Sequence, residues 1–105
     1  MTQTLNTTFQ GKGEVSGATF TMIQKGEKSY LYEVKNGNST YYEVFKIKTV
    51  ALLEDFEKRI YSETEFKEVY PKAKDFGIWA WTYGTMEQAY DKFIELESNE
   101  TILNK

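Results

Sequence analysis

Residues 29–48 read SYLYEVKNGNSTYYEVFKIK, with Asn36-Gly37 set between two runs of β-branched and aromatic residues. Asn-Gly is favoured in a two-residue type I′ hairpin loop because both central residues need positive φ. The segment therefore predicts two antiparallel strands side by side and argues against a helix. Taking Asn36-Gly37 as the loop pairs Lys35 with Asn38, Tyr32 with Tyr41 and Tyr30 with Glu43. Tyr30, Tyr32, Val34, Tyr41, Phe45 and Ile47 then share one face, which is the expected core face, and Glu43 falls on it. The reverse face carries Leu31, Glu33, Lys35, Tyr42, Val44, Lys46 and Lys48; mixed and lysine-rich, it is expected to be solvated.

The preceding run ATFTMIQK reads as a further strand of the same meander. A three-residue loop at Gly26-Glu27-Lys28 turns Phe20 and Met22 to the core, which apolar burial prefers to the two-residue alternative. Residues 1–16 are polar, Thr-rich and aperiodic, and are expected to form a loose arm. Towards the C-terminus, Thr85 with Gln88 has the form of a capping box. Met86, Ala89, Tyr90, Phe93 and Ile94 then recur at helical spacing, predicting a helix from about Met86 to Glu97. GIWAWTY supplies a strand just before it. The middle, ALLEDFEKRIYSETEFKEVY, is ambiguous: Leu53, Phe56 and Ile60 fit a helix, while KRIYSETEFKEVY also alternates as a strand. Pro71 marks an irregular approach to the Trp strand. The expected fold is α+β: an antiparallel sheet of about four strands with one C-terminal helix packed on one face, in the order ββββα.

At 105 residues the chain has room for one domain, with 16% aromatic residues to build its core. No run reaches the ~18 apolar residues of a membrane span. The start, MTQTLNTTFQGKGE, has neither the basic nor the apolar region of a signal peptide, so a cytoplasmic location is expected. The absence of Cys and His excludes thiolate or imidazole catalysis and every cysteine-based metal site. Charge is uneven: residues 1–50 hold six lysines against four acids, residues 51–105 seven basic residues against twelve. Arg59 is the only arginine, which argues against specific reading of duplex DNA.

DFG at Asp75–Gly77 spells the metal-binding triplet of protein kinases, but the chain is too short for that fold and lacks its other motifs. GKGEVSG has glycines without the strand and helix of a phosphate loop. Glu54, Asp55, Glu57, Glu63, Glu65 and Glu68 do not have calcium-loop spacing, and read as a solvated face. Glu43 is the one carboxylate placed for acid/base work. Its alternative reading is a group near a sheet edge that accepts tyrosine hydroxyls. No nucleophile, base and orienter recur at a common spacing, so no catalysis, cofactor or metal is expected.

Two features suit contact. In a strand Trp79, Trp81 and Tyr83 project to one face, either as core beneath the Tyr90 and Phe93 stripe or as interface anchors. Tyr42, Lys46 and Lys48, with Lys35, place a ring beside lysines, the arrangement on which single strands stack. The element order, with SYLYEVKNGNSTYYEVFKIK as central hairpin, resembles a PUR-type repeat over roughly residues 18–97, which implies single-stranded nucleic-acid binding. YEVFKIK at Tyr42–Lys48, YP at Tyr70-Pro71 and FGIWAW at Phe76–Trp81 are similar to small uncharacterised proteins carried by phages and their bacterial hosts. That resemblance implies a non-enzymatic accessory protein in the host cytoplasm that binds, and inhibits, a host protein, including a defence component. Trp79, Trp81, Tyr83 and Tyr42 are then the anchors. A homodimer through the same surface, a single-stranded nucleic acid on Tyr42, Lys46 and Lys48, and a small nucleotide held in a ring-lined pocket are the alternatives.

Overall fold

The computed structural model describes residues 2–11, 13, 16–55 and 57–103, with side chains omitted at 54–55 and 99–103. Its strands are β1 (Thr2–Gln3), β2 (Thr8–Gln10), β3 (Ala18–Lys25), β4 (Ser29–Asn36), β5 (Ser39–Lys46), β6 (Thr49–Asp55), β7 (Ile60–Glu68) and β8 (Ala80–Tyr83), followed by α1 (Met86–Leu103). They form a five-stranded antiparallel sheet in the order β2-β3-β4-β5-β8 and a three-stranded sheet in the order β1-β7-β6. The class is α+β with one C-terminal helix, as expected, but the strand number is not. The additional strands come from the segment read as a loose arm, which supplies β1 and β2, and from the ambiguous middle, where the strand alternation prevails as β7 and Leu53, part of the helical alternative, lies in β6. Phe56, part of the helical alternative, lies outside the described residues.

The central hairpin forms with its register two residues from the expected one. Asn36 pairs with Ser39, so Gly37-Asn38 is the loop, and Gly37 takes the positive φ of 62°. Glycine at the first central position satisfies a type II′ turn, whereas Asn36 stays in the strand. Tyr32 therefore faces Glu43, and Tyr30 faces Phe45. Because strand side chains alternate with period two, a shift of two leaves every residue on its expected face. Tyr30, Tyr32, Val34 and Phe45 are fully buried, joined by Phe20, Ala18, Trp79 and Ala80. The β3–β4 connection is the three-residue loop 26–28, closed by the Gly26 N–H on the Ser29 carbonyl at 2.9 Å.

The reverse face is not solvated, contrary to expectation. Leu31 and Val44 are fully buried there against Ala89, Phe93 and Leu96 of α1, with Tyr42, Trp81, Tyr83 and Met86 at the margin. Between its mixed neighbours this face offered just two aliphatic residues, too few to signal a roof. The helix begins on the Thr85 hydroxyl, which accepts the Gln88 N–H at 3.2 Å. It runs beyond Glu97 to Leu103, and its contact line follows Ala89, Phe93 and Leu96, leaving Tyr90 and Ile94 exposed.

A single carboxylate ties the helix to the β3–β4 loop. Glu97 accepts the N–H groups of Glu27 at 2.9 Å and Lys28 at 3.1 Å and the Ser29 hydroxyl, while its carbonyl accepts the Lys28 ammonium at 2.7 Å. Burial pushes the Glu97 carboxyl up, but the bonds from Ser29, Lys28 and Glu27 together outweigh it and hold it below the usual range. A Cβ on Gly26 would stand 2.3 Å from the Glu97 carboxyl carbon. Gly26→Ala is therefore expected to displace the carboxylate and cost about 1–3 kcal/mol in urea unfolding. In a Glu97→Ala background the same substitution is expected to cost much less, and additive losses would refute the latch.

Candidate functional site: a ring-lined cleft over Glu43

Strand β5 presents Tyr41 and Glu43 on the same face of the large sheet, and Thr82 of β8 lies opposite Glu43. Two other segments stand over this face. From the N-terminal arm come Leu5, Asn6, Phe9 and Gln10; from the irregular segment before β8 come Tyr70, Pro71, Lys72, Ala73 and Phe76. Together they enclose an open cleft of about 1080 Å³. That is at the upper end of small-molecule sites, which run from about 300 to 1,000 Å³.

Local chemistry fixes both walls. Phe9 stacks on Phe20 at 4.7 Å between ring centroids, with planes 4° apart. The Tyr32 hydroxyl donates to the Asn6 carbonyl at 2.7 Å, holding the arm to β4. On the opposite wall, Pro71 is buried and precedes a 3-10 turn over Ala73–Asp75. Tyr70 wedges edge-on among Phe9, Phe20 and Phe45, with centroids 5.9, 5.1 and 5.6 Å away. Such edge-to-face packing is favourable beyond the area it buries. A second carboxylate, Glu68 at the end of β7, anchors the arm from behind. It accepts the Leu5 N–H at 3.0 Å and the Tyr30 hydroxyl, and pairs with Lys25 at 3.6 Å.

Glu43 is only 3% exposed at the floor of the cleft. One oxygen, Oε1, accepts the Tyr70 hydroxyl. Burial raises its pKa to about 7, the Tyr70 hydrogen bond opposing the rise. Burial, with Glu43 beside it, pushes the Tyr70 phenol above its ordinary value, and Tyr41 is raised by the same causes. The cleft thus combines apolar ring walls, a floor carboxylate poised between charge states, and amide and hydroxyl groups from Asn6, Gln10 and Thr82. Among the described residues no three or more Asp or Glu side chains cluster to hold a metal ion.

The six residues expected to make contact fall into separate groups. Trp81 and Tyr83 do not share a face with Trp79. Strand β8 begins at Ala80, and Trp79 belongs to a turn in which its N–H meets the Asp75 carbonyl at 3.1 Å and Gly77 takes φ of 94°. The alternation that aligns i and i+2 does not extend through that turn. Trp79 is consequently buried in the core behind Phe45, with the Lys48 ammonium 4.8 Å from its ring centroid. Trp81 and Tyr83 lie half-buried beside α1; the Lys92 ammonium is 4.1 Å from the Trp81 ring, and Tyr42 lies directly opposite Tyr83. Lys46 and Lys48 are exposed. Glu43 was visible in the sequence as the acid on an apolar face, with Tyr41 beside it, but Phe9, Tyr70 and Phe76 were not identifiable as its surroundings. The carboxylate's position was the available signal, since such a group requires a partner from outside the hairpin.

The charge state of Glu43 is measurable through stability. With a folded pKa of about 7 against the 4.5 of an ordinary glutamate, the fold favours the protonated form. The resulting stabilisation is complete below about pH 4.5 and is lost as pH rises through 7. Relative to Glu43→Gln, the wild-type protein is expected to lose about 3 kcal/mol of unfolding free energy between pH 4.5 and pH 8. Parallel stability curves for the two proteins would contradict the burial of this carboxyl.

Among the described residues no helix is long and apolar enough to cross a membrane, and comparison of the chain with protein-family models, with curated proteins and with solved structures gives no match.

Proposed function

We propose that the protein is a non-enzymatic binding protein that takes a small ring-bearing molecule, of nucleoside or nucleotide size, out of solution. One observation carries this reading: a cleft of about 1080 Å³ whose ring walls converge on a buried carboxylate. Aromatic faces supply affinity for a planar ligand, and a few fixed polar groups set its orientation. In a phage-type accessory protein, sequestering such a molecule would withhold it from a host defence component. The sequence has no His or Cys, and among the described residues the cleft lining holds no second carboxylate to pair with Glu43 as acid and base.

Docking on a host protein is a second reading, favoured by the β6–β7 hairpin. Leu53, Ile60 and Tyr61 are 40%, 46% and 52% exposed there, and the two strands pack chiefly on each other and on β1. These residues, more than Trp79 or Trp81, have the exposure an interface anchor needs. Single-stranded nucleic-acid binding has less support, because α1 lies across the face that carries Tyr42 and Val44.

Isothermal titration with a panel of nucleosides, nucleotides and aromatic amino acids tests the cleft. At least one planar ligand is expected to bind in the micromolar range, and Tyr41→Ala is expected to weaken it about tenfold through lost stacking. Absence of binding across the panel, with Leu53→Asp abolishing capture of a purified host protein, would transfer the function to the hairpin.

A further inference from the structure

Resting on the binding reading above, we infer that the cleft selects a planar heterocycle with adjacent N–H donors, a guanine-type base, which stacks on Tyr41 and Phe76 and donates to Glu43. The floor chemistry defines the donor requirement. An ionised carboxylate only accepts hydrogen bonds, and it has lone pairs for several. Tyr70 occupies Oε1. The other oxygen, Oε2, has no hydrogen bond or ion pair among the described residues, and every buried side-chain oxygen or nitrogen among them has a partner. Oε2 is therefore the part of Glu43 that opens on the cleft, and it is an acceptor awaiting a donor.

The ring walls define the shape. Tyr70 is already packed edge-to-face among Phe9, Phe20 and Phe45, so its ring is engaged in the core. Tyr41 and Phe76 also line the cleft and are half-buried. Both pack on the core, and neither pairs with another ring among the described residues, so each can offer its cleft side to a ligand. Tyr41 precedes Glu43 by two residues on the same side of β5, so a flat molecule lying on Tyr41 brings its edge to the carboxylate.

Charge defines what the ligand lacks. Among the described residues the cleft lining holds a single cationic side chain, Lys72, which is exposed, and no arginine. A phosphate placed near Glu43 would meet like charge. The base edge, not a phosphate, is the recognised group. Among bases, guanine presents two neighbouring N–H donors with no acceptor between them, while adenine and uracil each set an acceptor beside their donor.

Isothermal titration at pH 8, where the Glu43 carboxyl is ionised, decides the matter. Guanosine is expected to bind at least tenfold more tightly than inosine, which lacks the amino group, and than adenosine or uridine. Guanosine monophosphate is expected to bind no more tightly than guanosine. Glu43→Gln, checked for folding by circular dichroism, is expected to lose the guanosine preference while retaining weak stacking of all four nucleosides. Equal binding of guanosine, inosine and uridine by the wild-type protein overturns the donor assignment but leaves the binding reading standing, as does a guanosine preference that survives Glu43→Gln. Tighter binding of the monophosphate overturns the exclusion of phosphate. Failure of every nucleoside and of the other planar ligands to bind overturns both readings together.

Discussion

Strand β4 is buried on both faces, and the rest of the structure follows from covering it. Tyr30, Tyr32 and Val34 point one way and Leu31 the other, all fully buried. Each such side chain contributes about 1.5–3 kcal/mol when removed from water, so neither face can be left open. On one side α1 supplies Ala89, Phe93 and Leu96 as a roof over Leu31 and Val44. On the other side no second α-helix is present among the described residues, and the cover is assembled from the N-terminal arm and the segment between β7 and β8. The two covers differ in continuity. Two irregular segments meeting over a sheet leave a gap, and the gap lies over Tyr41, Glu43 and Thr82.

Glu43 gives that gap its chemical character. An acid between Tyr41 and Phe45 on an inward face costs free energy that an apolar residue would avoid. Tyr70 offsets part of the cost through one hydrogen bond and brings its own ring into the packing of Phe9, Phe20 and Phe45. The other carboxylate oxygen gains no partner among the described residues. A group held at a cost, half-satisfied and facing an open ring-lined space, is what the proposed binding floor requires. The contrast with Glu97 is informative: that carboxylate is satisfied by Glu27, Lys28 and Ser29 and serves to fasten the helix to a loop.

How much of this was legible depends on the range of the interaction involved. The central hairpin, its core face, the three-residue loop at Gly26 and the Thr85 cap were all readable, because each rests on turn chemistry or periodicity within a dozen residues. The two-residue shift of register escaped, since Asn-Gly and Gly-Asn both overlap at Asn36-Gly37-Asn38, yet it preserved the faces. The arm was misread because its order comes from distant partners: Phe9 on Phe20, and Asn6 bonded by Tyr32. The shared face of Trp79 and Trp81 failed at a local point, where the turn from Asp75 interrupts strand alternation. The cleft was hidden for a similar reason to the arm. Its walls lie near residues 9, 41, 70 and 76, and no spacing rule relates them. Glu43 alone was conspicuous, as the polar exception in an apolar pattern.

The proposed site requires Glu43 to be a desolvated carboxyl at the floor of an open cleft, and its own titration measures that most directly. In protein labelled with carbon-13, the Glu43 side-chain carboxyl signal, assigned by its disappearance in Glu43→Gln, should titrate with a midpoint near 7, displaced from the 4.5 of an exposed glutamate. A midpoint at the ordinary value would place the carboxyl in water, and the proposed floor of the cleft would not exist.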